Sequence, residues 1–132
     1  MAEIVIKEID YRGYGKSVMI SNGKIKAIAT VDIGPRIIRF GFVGGDNELC
    51  EIPIDEVPEK NQSSDWQLMG GHRLWHSPEH KARTYVPDND RIEWQEIENG
   101  IILSQKTEPW VQIKKEMEIT MSAENNKMIV LS

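Results

Sequence analysis

A single cysteine, Cys50, rules out an internal disulfide in a chain of 132 residues. The fold must therefore rest on packing and hydrogen bonds, and the cysteine usage fits a reducing compartment. Long apolar runs are missing too: none approaches the roughly 18 residues that a membrane span requires. The start, Met1-Ala2-Glu3-Ile4-Val5-Ile6-Lys7, lacks the basic segment and apolar core of a signal peptide. A cytoplasmic protein with no membrane partner is expected. Positive charge is in deficit, with 16 Lys and Arg against 21 Asp and Glu, for a net charge of −5. Nucleic acid is bound mainly through basic surface, so it is not an expected partner. No stretch of ten or more residues has a convincing helical period, and there is no internal repeat or low-complexity tract. Apolar residues at 39% and charged residues at 28% are globular values, and the length suffices for one domain, expected to span residues 1–132.

What is present is strand alternation punctuated by turns. Ile4 to Ile9, Ser17 to Ile20 and Ile25 to Val31 read as strands rich in β-branched residues. Asn22-Gly23 between the second and third is a strong hairpin signal. After Gly34-Pro35, Arg36 to Val43 alternates, with Ile37, Arg39, Gly41 and Val43 expected on one face and Ile38, Phe40 and Phe42 on the other. Glu51 to Ser64 is acidic and polar and reads as surface loop. Arg91 to Ile97 alternates again, Asn99-Gly100 supplies a second hairpin signal, and Ile101 to Ser104 follows. Trp110 to Met121 is the cleanest alternation. Val111, Ile113, Met117, Ile119 and Met121 share one face, interrupted by Lys115. Met128 to Leu131 begins a last strand. Short strands with turn signals at this spacing predict an all-β antiparallel β-sandwich.

Between the two blocks of strands lies an aperiodic stretch, Trp66 to Asn89, that holds all three histidines, His72, His76 and His80, with Arg73, Arg83, Glu79, Asp88, Trp66 and Trp75. Its aromatics argue for an ordered functional loop. The histidines are four apart, but Pro78 between the second and third breaks any shared helical face, and no metal or cofactor is expected. A tryptophan can offer a platform to the C–H face of a sugar, while Arg and His supply directional hydrogen bonds to its hydroxyls. The plainer reading of each tryptophan is packing. Gly70-Gly71 is either a simple turn or a point where the backbone approaches a ligand closely. Glu79 and Asp88 are a possible acid–base pair, although a carboxylate paired with Arg83 or capping a turn is the simpler role.

Gly70-Gly71-His72-Arg73-Leu74-Trp75-His76-Ser77-Pro78-Glu79, followed by Thr84-Tyr85-Val86-Pro87-Asp88-Asn89, resembles the N-terminal part of galactose mutarotase-like (aldose 1-epimerase-like) proteins. Upstream, Val31-Asp32-Ile33-Gly34-Pro35-Arg36-Ile37-Ile38 and the turn Gly44-Gly45-Asp46-Asn47 resemble the opening strand and turn of that family. The resemblance covers residues 16–131 and implies part of a large antiparallel supersandwich. It implies sugar-contacting character at His72 and Arg73, with Trp75 and Arg36 beside them, and a sugar or sugar phosphate as partner. In the family, a histidine acid and a glutamate base interconvert anomers, but these lie in a half that this chain lacks, and neither Glu79 nor Asp88 matches the base. The resulting expectation is a carbohydrate-binding domain without complete catalytic machinery. The alternatives are an aldose 1-epimerase-like isomerase completed by another chain or half, and an interaction module that binds no sugar. With its second half missing, the face carrying Val111, Ile113, Met117 and Ile119 is expected to be left uncovered beside the unpaired edge at Met128 to Leu131 and to drive formation of a homodimer, the competing outcome being that the two sheets close on each other into a smaller sandwich.

Overall fold

A computed structural model of the chain describes residues 4–32, 34–49, 71–73, 91–105, 115–123, 125 and 127–131. Cys50, Trp66, Trp75, His76, Glu79, His80, Arg83, Asp88, Val111 and Ile113, and the Glu51 to Ser64 loop, lie outside the described residues. The protein is an all-β antiparallel sandwich. Nine strands are described: β1 Val5–Asp10, β2 Lys16–Ser21, β3 Ile25–Thr30, β4 Arg36–Phe42, β5 His72–Arg73, β6 Glu93–Ile97, β7 Gly100–Ser104, β8 Glu116–Met121 and β9 Met128–Leu131. They form one sheet in the order β1-β2-β3-β4-β5 and another in the order β6-β7-β8-β9. Every pairing is antiparallel between sequence neighbours. Short turns make the connections within β1–β4 and in the β6–β7 and β8–β9 pairs, whereas residues 43–71 separate β4 from β5 and residues 105–115 separate β7 from β8; antiparallel pairing needs no crossover.

The two sheets meet through one apolar layer. Val18, Ile20, Ile25, Ala27, Ala29 and Ile37 of the first pack with Ile101, Leu103, Met117, Ile119 and Met121 of the second. In β2, β3, β7 and β8 these residues sit two apart, so one face of each strand is committed to the interior. Met117 and Ile119 are both 0% exposed, which corrects the expectation that a missing half leaves them uncovered. The first sheet covers them, because closing two half-polar sheets on each other removes apolar area from water at roughly 25 cal/mol per Å2.

The face assignment of β4 also needs correcting. Ile28 pairs with Arg39 and Ala29 with Ile37, so Ile38 is an extra residue in a β-bulge. The bulge reverses the alternation at that point. Ile37 and Phe40 therefore reach the same interior cluster, while Ile38 joins Ile28, Tyr11 and Tyr14 in a second cluster on the outer face. The Tyr11 and Tyr14 rings stack at 6.4 Å over that face, and Arg39 Nη1 donates to the Tyr11 hydroxyl at 3.4 Å.

Two joints link the sheets. At one end Asn22, buried in the β2–β3 turn, donates from Nδ2 to the carbonyls of Ser122 and Asn125, both at 2.8 Å. Its Oδ1 accepts from the backbone N–H groups of Lys24 and Ile25, both at 2.9 Å. The hairpin signal at Asn22-Gly23 thus carries a second role. At the other end the Ile92 N–H donates to the Val31 carbonyl at 2.8 Å. The second hairpin is centred one residue earlier than its Asn-Gly pair suggests. Glu98 and Asn99 make the turn, and Gly100 is already in β7, where a Cβ would run into the Ile119 carbonyl oxygen.

Candidate functional site

His72 enters the fold through β5, whose two residues pair with the start of β4: Ile37 opposite His72 and Arg36 opposite Arg73. Gly71 makes this pairing sterically possible. Its φ is +77°, and an added Cβ would collide with the Ile37 carbonyl oxygen. The close approach considered for this glycine is therefore to β4. Being opposite Ile37, His72 shares the interior-facing side of the sheet. It is exposed at the sheet's edge and lines a cleft of about 340 Å3 with Ile37, Phe40, Leu49, Met128 and Val130. β4 supplies Ile37 and Phe40, β9 supplies Met128 and Val130, and Leu49 follows the turn after β4. Asn47 holds that turn against β4, accepting from the Phe40 N–H at 3.1 Å and donating to the Ile38 carbonyl at 2.9 Å.

Arg36 is placed elsewhere. It lies opposite Thr30 on the outer side of the sheet, is 1% exposed and is engaged by neighbouring groups. A β-sheet separates it from the His72 side chain, so the structure does not bring these two together in one site. Arg73 is fixed by its register with Arg36, and Trp75 lies outside the described residues. The cleft gathers residues that the sequence reading did not single out. Strict alternation puts Phe40 on the face opposite Ile37, and only the bulge at Ile38 sets the two side by side. Met128 and Val130 alternate correctly in the sequence, but their proximity to β4 is a property of how the sheets stack.

The Val31-Asp32 segment, which helps carry the family resemblance, forms a structural joint. Asp32 Oδ2 accepts from the Lys16 N–H at 2.9 Å. Its Oδ1 accepts from Arg91 Nε at 3.0 Å and lies 2.9 Å from Arg91 Nη2. Burial pushes the Asp32 carboxyl upward, but the Lys16 N–H and the Arg91 guanidinium together outweigh this and hold it below its ordinary value. Gly15, at φ +87°, leaves room for the carboxylate, since a Cβ there would lie 2.6 Å from Oδ2.

The cleft is an open depression of a size that can admit a small molecule. Its volume falls near the lower end of ligand pockets, its walls are apolar, and among the described lining residues His72 is the one group that both donates and accepts hydrogen bonds through its side chain. No family model, curated protein or solved structure matches this chain.

Proposed function

We propose that the chain is a carbohydrate-binding β-sandwich that takes a sugar or sugar phosphate in the cleft between the β4–β5 edge and β9. The observation that carries this reading is the convergence of the Phe40 ring and the His72 imidazole on one cleft of about 340 Å3. An aromatic face suits the C–H face of a pyranose, and an imidazole can both donate to and accept from hydroxyls. The mutarotase-like motifs around His72 point to the same ligand class. Trp75, three residues after His72 and outside the described residues, is the further sugar contact that the motif implies, while Arg73, which lies opposite Arg36 in register, enters the proposed set through the motif alone. Anomer exchange needs an acid and a base at two positions on the sugar, and the described lining offers one titratable side chain. The leading reading is therefore binding, and turnover requires a second group from another half or another chain.

The test is heteronuclear NMR titration with a panel of aldohexoses and their 6-phosphates. Shift changes at His72, Phe40, Met128 and Val130 are expected, and His72→Ala should weaken affinity on the order of fivefold to tenfold, the loss of one hydrogen bond. Saturable sugar binding that leaves these four signals unmoved would place the site elsewhere. The five apolar residues among the described lining favour one second reading, a short aliphatic ligand anchored by His72. Octanoate in the same panel distinguishes it, because it would shift the same signals while the sugars do not.

A further inference from the structure

Among the described aromatic residues, Tyr11, Tyr14, Phe40 and Trp94 are buried or half-buried, and only Phe42 is well exposed, at 56%. Leaving a phenyl ring in water forgoes much of the gain from burying it, yet the place of this one is closely determined. Phe42 lies opposite Ile25, and Phe40 lies opposite Ala27. Residues directly opposite on paired strands share a face, and Ile25 and Ala27 both belong to the interior cluster. The bulge lies further back, at Ile38, so the register from Phe40 to Phe42 is regular. Phe42 is therefore on the same side of β4 as Phe40, two residues and about 7 Å farther along. Its backbone is held on both sides of the strand end: the Val43 N–H donates to the Lys24 carbonyl and the Gly45 N–H to the Phe42 carbonyl, both at 2.9 Å. His72, opposite Ile37, lies toward the start of β4. The interior side of β4 thus runs from the His72 end through Phe40 to Phe42. Across the cleft, Met128 opens β9 just after the turn that Asn22 clamps to the start of β3, so β9 begins at the Phe42 end. On β4 the cleft stops at Phe40, and Phe42 stands beyond its rim.

We propose that Phe42 is a second sugar platform and that the ligand is a glycan of at least two linked units, one held in the cleft by His72 and Phe40 and the next lying on Phe42 outside it. This rests on the reading of the cleft as a sugar site. The step from Phe40 to Phe42 is comparable with the length of one linked pyranose unit, and a phenyl face offers the C–H face of the second sugar the same contact that Phe40 offers the first. Because the cleft is an open depression, a chain can leave it along β4 without a change of fold. A lone monosaccharide would leave the Phe42 ring unused. The size of the patch favours a small ligand over a protein: at this end of β4 the well-exposed apolar side chains are Phe42 and Val43, set among Gly41, Gly44 and Gly45, far less surface than a specific protein contact buries.

Calorimetric and NMR titrations with cello-, malto- and β-1,4-galacto-oligosaccharides of one to four units test the proposal. In the series that binds, affinity should rise by about threefold to tenfold from monosaccharide to disaccharide, the range expected of one added aromatic contact. The Phe42 ring signals of the wild-type protein should shift with the disaccharide and stay in place with the monosaccharide, a readout that needs no variant. Phe42→Ala should bring the two affinities together, and Phe42→Tyr should keep them apart. His72→Ala should lower both and preserve their ratio. Monosaccharide binding at His72 with no gain from a second unit overturns this inference and leaves the sugar site standing, and so does a gain that survives Phe42→Ala. Failure of every saccharide at every length overturns both, including the case in which laurate shifts His72 and Phe42 together.

Discussion

The Asn22 side chain donates to the backbone carbonyl of Ser122 at 2.8 Å, across 100 residues of sequence. This bond joins the β2–β3 turn of one sheet to the β8–β9 turn of the other. With the bond to Asn125 and the two bonds accepted by Oδ1, the amide is satisfied at both ends while fully buried. Asn22→Ala should therefore do more than weaken a hairpin. It leaves several backbone groups without their partner and should cost about 2–4 kcal/mol, since each orphaned buried group costs about 1–3 kcal/mol and water recovers part of the loss. Urea unfolding followed by tryptophan fluorescence measures this as a lower midpoint at unchanged slope. A loss under half a kcal/mol would show that the clamp contributes little.

Acid should weaken the corner at Asp32. Its carboxyl is held below its ordinary value in the folded protein, so its contribution is fully present above the unfolded value, about 3.9. It is lost as pH falls through the lower folded value. Arg91 is well exposed, so solvent screening keeps its part of the effect under about 1 kcal/mol. The stability difference between wild type and Asp32→Asn should be largest above pH 5 and shrink toward pH 2. A gap that stays constant across this range would mean that the ionised form is not favoured by folding.

Gly71→Ala should be disproportionately costly for so small a change. The backbone is in the left-handed region and the new methyl would meet the Ile37 carbonyl oxygen, which should cost on the order of 1–3 kcal/mol or detach β5 from β4. Amide hydrogen exchange distinguishes the two outcomes: detachment removes protection from the β4–β5 pairing and leaves the β2–β3 ladder protected. His72 moves with β5, so ligand affinity should fall in either case.

Two isoleucines on neighbouring strands should respond very differently to truncation. Ile119 is 0% exposed and Ile129 is 45% exposed. Ile119→Ala should cost about 2–5 kcal/mol, combining lost transfer energy with a cavity, whereas Ile129→Ala should stay within about half a kcal/mol of wild type. Chemical denaturation of the two variants side by side checks the contrast. Comparable losses would mean that the outer face of β9 is as well packed as the interior.

Local pattern was enough for much of the architecture. Side chains of a strand alternate by geometry, so the spacing of Val18 and Ile20, of Ile101 and Leu103, and of Met117, Ile119 and Met121 announces both the strand and its buried face. Asn22-Gly23 and Asn99-Gly100 place hairpins because few residues accept the backbone conformations that tight turns demand. The candidate site was legible only in part. His72 stands out because it lies in an aperiodic stretch, but sequence spacing says nothing about which face of which sheet a side chain shares with another. That depended on two nonlocal events, the extra residue at Ile38, which set Phe40 beside Ile37, and the stacking of β9 near β4, which brought Met128 and Val130 to the same cleft. The sheet between Arg36 and His72 is of the same kind. Alternation and turns belong to neighbouring residues and are therefore written in their order. Closure of one sheet on the other is decided by the apolar area that both bury at once, and that quantity exists only when the whole chain is folded.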